Sequence, residues 1–322
     1  MFNDEYLIPE WRTAPKEGMR EGIGRGLMKL GKNTQDAVVL TADLAESTRV
    51  REFAEEYPER FFDVGVAEQN LIGVAAGLSN EGFVPFTASF ATFSPGRSWE
   101  QVRVSVCMSN ANVKIIGSHA GLATGFNGPS HQATEDIAIM RTLPNMIVLV
   151  PADSTQSEAA IQAAYAQIGP VYIRSTRPEL ANFIKPIAFE IGKAYVYRSG
   201  RDITICACGI QVYDALVVAE ELEKEGIDCE VINVSSIKPL DNETLLKSAK
   251  KTGKVITIED HQVNGGLGSA IAELFGEYYP LLVKRIGIPD AFGKSGAWGD
   301  VYTKMGLDHA SLKKAVVDWF HE

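Results

Sequence analysis

The chain has 322 residues, of which 45% are hydrophobic and 22% are charged, and its formal net charge is −10. This length predicts two domains, the composition is typical of globular proteins, and the acidic balance argues against a nucleic-acid-binding surface. Because no apolar run is long enough to cross a bilayer and the acidic start is unlike a signal peptide, we expect a cytoplasmic protein that does not bind membranes.

The first half of the chain alternates apolar runs with helical patterns. The last helical pattern begins clearly, with Asp153 or Ser154 as its N-cap. This alternation is typical of a parallel sheet with helices on both faces. The predicted strands are 36–44, 83–90, 112–119, 146–152 and 170–176, and the predicted helices are 19–31, 67–80, 98–109, 133–142 and 154–167.

The segment 178–200 has two prolines, scattered charges and no helical period, so we interpret it as a linker. Beyond it the alternation resumes. The sequence therefore predicts an α/β fold with two tandem domains, 1–185 and 186–322, each a mostly parallel sheet flanked by helices. The second set of predicted strands is 203–209, 229–237, 254–260 and 282–288, and the helices are 211–225, 242–251, 268–277 and 309–320.

The four cysteines form no C-x-x-C pair and have no cluster of histidines beside them. Cys206 and Cys208 alternate within a strand-like run, so we expect them to share one buried face as small hydrophobic residues. A metal site is the less favoured interpretation, and a reducing cytoplasm is the default compartment.

Four loops follow predicted strands, at the edge where parallel sheets bind their ligands. They are TADLAES (41–47), GVAEQN (65–70), ASFATFSPGR (88–97) and GSHAGLATGFNGPSHQ (117–132). The last is long and rich in glycine, and it carries His119, Asn127 and His131, a combination that is usually functional in a compact domain. The alternative is a surface loop with incidental histidines.

The other loops offer an aromatic pair and several arginines. Phe90 and Phe93 are spaced to stack along one side of a turn, which suits a flat ring ligand, although paired aromatic residues are more often part of a core. Arg174 and Arg177 end a predicted strand, and arginine is suited to bidentate phosphate or carboxylate contacts. Arg20 and Ser47 are further anion-binding candidates. A solvated side chain is the alternative for either strand-end arginine.

Glu68 lies in the first turn of a helix whose following residues, LIGVAAGL (71–78), include no polar side chain. A carboxylate at a helix N-terminus is stabilised by the helix dipole, so a capping acid is one interpretation. Because the helix has no polar face over two turns, we expect it to be buried. A buried carboxylate is typical of a functional site.

Five motifs follow one another in a specific order: TADLAES, DVGVAEQNLIGVAAGL, SFATF, SHAGLATGFNGPSHQATEDIAIMRTLPNMIVLVPAD and IEDHQVNGGLGSAIAE. In this order they resemble the C-terminal half of transketolase, from about residue 14 to the end of the chain. The resemblance implies a thiamine diphosphate enzyme. Residues 1–185 would form its pyrimidine-binding domain and residues 186–322 its C-terminal domain.

The resemblance assigns roles toward the cofactor. Glu68 matches the catalytic glutamate that hydrogen-bonds N1′ of the aminopyrimidine ring and favours the imino tautomer, whose 4′ nitrogen deprotonates the thiazolium C2. A proton shared in this way must be shielded from water. Phe90 and Phe93 match the aromatic residues packed on that ring, and Asp43 matches an acid near the cofactor at the subunit interface. Arg97 is a weaker match, because SPGRSWEQ holds an extra residue.

The resemblance also assigns substrate contacts. His131 matches a catalytic histidine facing the sugar hydroxyls at the reacting carbons, and His119 matches another histidine of the substrate channel. Three residues match positions that hold the phosphate of a sugar phosphate: Arg20, Ser47 and Arg177. Asn127 departs from the family, which usually has an aspartate there that reads the hydroxyl at the second carbon of the substrate. Asparagine is neutral and has a donor side, so the resemblance does not fix the sugar preference.

One part of the family pattern has no counterpart in this sequence. Transketolase holds magnesium with a GDG turn and a downstream asparagine, and WGDVY near the end of the chain does not fit that turn. We therefore expect one subunit of a split transketolase in an α2β2-type assembly that acts on sugar phosphates. Its partner, an N-terminal subunit with the diphosphate-binding domain, would supply the ligands for magnesium.

Three alternatives remain open. The β subunits of 2-oxo acid dehydrogenases share the domain pair and the glutamate but generally lack the GPSHQ histidine. Deoxyxylulose phosphate synthase has GPTHQ-like residues but is normally one long chain. A non-catalytic interaction subunit is the third, and the retained site residues argue against it. In the second domain, we interpret His261 and the turn 264–269 as structural, and we expect the domain mainly to stabilise assembly.

Overall fold

The computed structural model describes residues 1–322 and contains fourteen strands and twelve α-helices. The strands are β1 (Lys16–Gly18), β2 (Ala37–Thr41), β3 (Phe61–Asp63), β4 (Val84–Phe90), β5 (Lys114–Ser118), β6 (Ile147–Leu149), β7 (Val171–Arg174), β8 (Glu179–Ala181), β9 (Tyr195–Arg198), β10 (Ile203–Ala207), β11 (Cys229–Asn233), β12 (Ser236–Lys238), β13 (Val255–Gln262) and β14 (Val283–Ile288). The helices are α1 (Met19–Asn33), α2 (Ala45–Thr48), α3 (Arg51–Glu56), α4 (Glu68–Asn80), α5 (Trp99–Gln101), α6 (Asp136–Arg141), α7 (Ser154–Ala166), α8 (Gln211–Glu223), α9 (Asn242–Thr252), α10 (Leu267–Tyr278), α11 (Trp298–Met305) and α12 (His309–His321).

The first sheet has seven strands in the order β12-β6-β7-β5-β4-β2-β3, and all neighbours are parallel except β12 and β6. Its inner strands β2, β4, β5 and β7 are buried along their whole length, as their runs of apolar residues predict. The chain passes from β2 to β3 on one side and then to β4 on the other. This change of direction opens a crevice at the carboxyl ends of β2 and β4, where open α/β sheets bind ligands.

The second sheet has five strands in the order β14-β13-β10-β11-β9, and only the edge strand β9 is antiparallel. The predicted fold class, two tandem α/β domains with mostly parallel sheets flanked by helices, is confirmed. The segment 178–200, interpreted as a linker, contains two strands, β8 and β9, that the sequence did not predict. Both are short strands that pair antiparallel with distant segments, so neither produces a local pattern that reveals it.

The two domains exchange segments. The predicted strand 229–237 is two strands, and β12 leaves the second domain to pair with β6 at the edge of the first sheet. In the other direction, Leu7 and Trp11 near the start of the chain pack into the hydrophobic core around the second sheet. The limits 1–185 and 186–322 stay a prediction, since these exchanges cross them.

Most predicted helices lie close to their expected positions. Asp153 is the N-cap of α7, and its side chain accepts a hydrogen bond of 2.8 Å from the backbone N–H of Gln156. The predicted helix 98–109 consists of α5 followed by a π-helix, Val102–Cys107. Helix α11 was not predicted. None of the helices combines the length and the apolar content that a membrane span requires.

Candidate active site

The loops selected from the sequence meet at the carboxyl edge of the first sheet. Phe90 is the last residue of β4, His119 follows β5 directly, and Arg177 lies just beyond the end of β7. The neighbouring strands β7, β5, β4 and β2 are in parallel register, which brings these ends to one side of the sheet. The crevice beside the change of direction therefore collects side chains from three different loops.

Glu68 is the first residue of α4, and its side chain is 2% exposed. Arg97 is its only ion-pair partner, with 2.8 Å between Arg97 Nη1 and Glu68 Oε2. The guanidinium of Arg97 also lies 4.9 Å from the centre of the Phe93 ring. The carboxylate therefore faces a planar cation that stands over an aromatic ring.

The prediction that the helix after Glu68 is buried was correct for one face only. Leu71, Ile72 and Ala75 pack into the core, while Gly73 and Gly77 are exposed. Glycine and alanine have no polar side-chain atoms, so the sequence does not show which face of this helix is buried and which is exposed.

Four aromatic side chains form a cluster around Phe90. The ring centres of Phe90 and Phe93 are 5.8 Å apart with planes inclined by 19°, and the imidazole of His119 stacks on Phe90 at 3.8 Å. His131 approaches Phe93 edge-on, with ring centres 5.3 Å apart. The structure thus brings together both phenylalanines and both histidines of the predicted site, and Arg97 links this cluster to Glu68.

His119 is buried in a left-handed backbone conformation, with φ of 57°. Its Nδ1 is 2.9 Å from Ser118 Oγ. Burial, together with the positive charges of Arg20 and Arg177, lowers the pKa of His119 to about 3. The imidazole is therefore neutral at physiological pH and can both donate and accept a hydrogen bond.

We expect His119 to make the chain less stable as the pH falls below 6.5. The unfolded chain takes up a proton near pH 6.5, whereas the folded chain does so only near pH 3. Stability is therefore lost between these values, by up to roughly 1.4 kcal/mol per pH unit. Asparagine tolerates positive φ, so His119→Asn removes the titration with little strain. Urea unfolding of both proteins between pH 6.5 and 4.5 would show a steeper decline for the wild type, and parallel profiles would contradict the expectation.

Arg20 and Arg177 form a second group beside this cluster. Arg20 donates to the carbonyl oxygens of Ser47, at 2.7 Å, and Arg177, at 3.2 Å. Arg177 donates to the carbonyl oxygen of Thr124 at 3.2 Å. Neither guanidinium forms an ion pair, the carboxylate of Glu21 acts on Arg20 only at longer range, and the Nε of Arg20 is buried without any hydrogen bond. Two unpaired positive charges and an orphaned donor can hold an anion.

Asp43 and Asn127 are not joined to either group by side-chain contacts. Asp43 is exposed with φ of 59°, and its backbone N–H donates to Asp63 Oδ1 at 2.9 Å. Asn127 is exposed at the end of the 3-10 turn Leu122–Asn127. Their roles toward cofactor and substrate therefore stay predictions.

Arg174 fits neither alternative inferred from the sequence, because it is neither solvated nor open to a ligand. It is buried, and its Nε is 2.8 Å from Asp136 Oδ2, while its Nη2 donates to the carbonyl oxygen of Asp260 at 2.7 Å. The hydroxyl of Tyr172 donates to the same Asp136 oxygen at 2.7 Å. The hydrogen bond from Arg174 to Asp260 connects the first domain to the second. Asp136 gave no signal in the sequence beyond an acid in the first turn of a helix.

The turn 264–269 holds no open anion site. The carboxylate of Glu259 accepts hydrogen bonds from the backbone N–H groups of Leu267 and Gly268, at 2.7 and 2.9 Å. His261 is fully buried, and its Nε2 accepts from the N–H of Ala138 at 3.2 Å. Both features are structural, as the sequence indicated.

Comparison with known proteins defines the class of the chain. Residues 16–182 match the family model "Transketolase, pyrimidine binding domain", and residues 192–312 match "Transketolase, C-terminal domain". A pyrimidine-binding domain followed by this C-terminal domain is typical of thiamine-dependent transferases. The chain belongs to the transketolase family.

Its relatives include chains of the same length. It is 44% identical to the "Putative transketolase C-terminal section" of Methanocaldococcus jannaschii, over 94% of this chain and 96% of that one. It is also 44% identical to the "6-deoxy-6-sulfo-D-fructose transketolase subunit" of Clostridium sp. strain MSTE9, over 90% of each chain. A solved structure described as "Split gene transketolase, inactive beta4 tetramer" superposes with a TM-score of 0.88 at 45% identity, over 95% of this chain and 99% of that one.

Proposed function

We propose that the chain is the pyrimidine-binding subunit of a split transketolase, which transfers a two-carbon ketol unit between sugar phosphates. The observation that carries this proposal is the buried carboxylate of Glu68 beside two stacked phenylalanine rings. The names of two relatives that this chain matches over 90% and 99% of their length, a transketolase subunit and a split-gene transketolase, support it. A partner subunit would bring the diphosphate-binding domain.

The residues present fit the aminopyrimidine ring of thiamine diphosphate. Arg97 shows the fit, because its flat guanidinium lies over Phe93 and donates an N–H to Glu68. A planar ring that shares a proton with Glu68 would use the same two contacts. Because the Arg97 side chain is 52% exposed, it can turn toward solvent when such a ring enters. Bound thiamine diphosphate supplies the electron sink that lets a carbon–carbon bond beside a carbonyl break and form again.

The residues of this chain then perform four tasks. Glu68 holds a proton at a ring nitrogen, and the burial of its side chain keeps water away from that proton. Phe90 and Phe93 orient the ring from the end of β4. His131, at the edge of Phe93, and the neutral His119 are placed to bind sugar hydroxyls. Arg20 and Arg177 hold the anionic end of the substrate, and Asn127 would contact a hydroxyl near the reacting carbons.

The same proposal includes the source of the magnesium ligands, the subunit stoichiometry and the cellular compartment. In the chain described, no group of three or more histidine, cysteine, aspartate or glutamate side chains is arranged to hold a metal ion. We assign the magnesium and diphosphate ligands to the diphosphate-binding domain of the partner, in an α2β2-type assembly in the cytoplasm. The cofactor would lie between the two kinds of subunit.

The test is a reconstitution. The chain is mixed with the partner subunit, thiamine diphosphate and magnesium, and the transfer of a two-carbon unit from a ketose phosphate to an aldose phosphate is measured by product analysis. A parallel reaction uses pyruvate as the donor. Release of carbon dioxide from pyruvate would favour the 2-oxo acid dehydrogenase or the deoxyxylulose phosphate synthase alternative. No turnover of any donor would favour the non-catalytic subunit.

A further inference from the structure

A pocket of about 320 Å³ opens beside the arginine pair, and both domains line it. Arg20, Arg177 and Pro178 form one side, the residues 123–126 form a second, and Ala297 and Trp298 of the second domain form the third. No acidic residue lines this pocket. Its chemistry is therefore that of an anion site with apolar walls.

The third side is held in place by contacts between the domains. Ser295 Oγ donates to the carbonyl oxygen of Phe126 at 2.8 Å, and Gln132 Nε2 donates to that of Lys294 at 3.0 Å. A Cβ placed on Gly125, which has φ of 63°, would lie 3.1 Å from the carbonyl oxygen of Gly296. The segment 294–298 is thus packed closely against the loop that carries Asn127 and His131.

Trp298 is the large side chain of this third side. It is 41% exposed, and its ring meets the buried Tyr302 edge-on, with ring centres 5.5 Å apart. Phe126, on the second side of the pocket, is 74% exposed. Two exposed aromatic side chains thus border a pocket that contains two unpaired guanidiniums. Exposed aromatic surface beside convergent polar groups is typical of a ligand site.

We propose that the second domain completes the substrate site and that Trp298 determines which distal ends of a substrate fit it. The inference rests on the proposed function, because it takes the arginine pair as the site of the substrate's anionic end. The ligand is a sugar that ends in a tetrahedral oxyanion, either a phosphate or a sulfonate. Arg20 and Arg177 hold the oxyanion, and Trp298 packs on the carbon chain next to it. Trp298 acts in specificity and not in catalysis.

Equilibrium binding to the full chain tests this, without cofactor or partner. Isothermal titration uses ribose 5-phosphate, 6-deoxy-6-sulfofructose, free ribose and inorganic phosphate. The wild type is expected to bind one or both of the oxyanion sugars more tightly than ribose, and the comparison shows whether phosphate or sulfonate is preferred. Trp298→Ala is expected to lower the affinity for the preferred sugar about two- to tenfold, which is the range for one aromatic contact. The affinity for inorganic phosphate should change less than twofold. Trp298→Phe should recover part of the loss.

The matched control is Phe292→Ala, which removes an aromatic side chain that is 79% exposed, lies two residues before the segment 294–298 and does not line the pocket. It should bind both sugars as the wild type does. In the complex with the partner, Trp298→Ala should raise KM for the anionic sugar more than it lowers kcat, whereas damage to the fold would lower kcat and the melting temperature together.

Equal sugar affinities in Trp298→Ala and the wild type would overturn the role of Trp298. A wild-type chain that binds neither oxyanion sugar would overturn the assignment of the pocket as the site for the anionic end of the substrate. Either result would leave the role of Glu68 untouched, because that role is measured by cofactor binding and ketol transfer.

Discussion

Replacing Glu68 with glutamine is expected to lower kcat for ketol transfer by about 10²- to 10⁴-fold in the complex with the partner subunit, the range for losing one positioned proton-transfer group. Glutamine keeps the shape of the side chain but cannot share a proton with a ring nitrogen in the same way. It also removes the charge that Arg97 contacts at 2.8 Å. Steady-state kinetics with a fixed pair of sugar phosphates measures the effect.

The control for this substitution is Glu81→Gln, which changes an exposed carboxylate just after the other end of α4. It should leave kcat within about twofold of the wild type, since surface substitutions away from special features have small effects. Circular dichroism confirms that both variants fold. A Glu68→Gln variant with wild-type kcat would remove Glu68 from the mechanism.

Replacing Asp136 with asparagine is expected to destabilise the chain by about 3–5 kcal/mol, because the buried Arg174 loses its ion-pair partner. The pair has 2.8 Å between Nε and Oδ2, with side chains 4% and 1% exposed, so water cannot replace the lost partner. Arg174 also reaches the carbonyl oxygen of Asp260, and the loss should therefore loosen the contact between the domains. Denaturant unfolding, followed by fluorescence, measures the change.

An exposed ion pair provides the comparison. Arg51 and Glu55 are both 64% exposed on α3, with 2.8 Å between Arg51 Nε and Glu55 Oε1. Glu55→Gln should cost no more than about 0.5 kcal/mol, because such a pair is screened by solvent. If Asp136→Asn costs as little as Glu55→Gln, the buried pair does not contribute to stability in the way described.

The sequence predicted the features that depend on local pattern. The runs that form β4, β5 and β10 are rich in β-branched and aromatic residues, and the cap at Asp153 is a local hydrogen bond, so both are visible in short windows. The grouping of Phe90, His119 and Arg177 followed from one rule, that parallel strands present their carboxyl ends at a common edge.

The features that escaped prediction depend on contacts between distant segments. Nothing near β12 indicates that it pairs with β6 in the other domain, because an antiparallel edge strand of three residues carries no pairing information. The pocket beside Arg20 and Arg177 is lined by Trp298, which lies more than a hundred residues from either arginine along the chain. The partnership of Arg97 with Glu68 likewise arises only when two loops fold against each other.

The most direct test is whether the cofactor binds only when both kinds of subunit are present. Thiamine diphosphate with magnesium is titrated by calorimetry into the chain alone, into the partner alone and into their equimolar mixture. We expect binding that depends on the mixture and is weakened by Glu68→Gln, since this chain holds one end of the cofactor and the partner holds the other. A mixture that binds no thiamine diphosphate at millimolar concentration would contradict the proposed function.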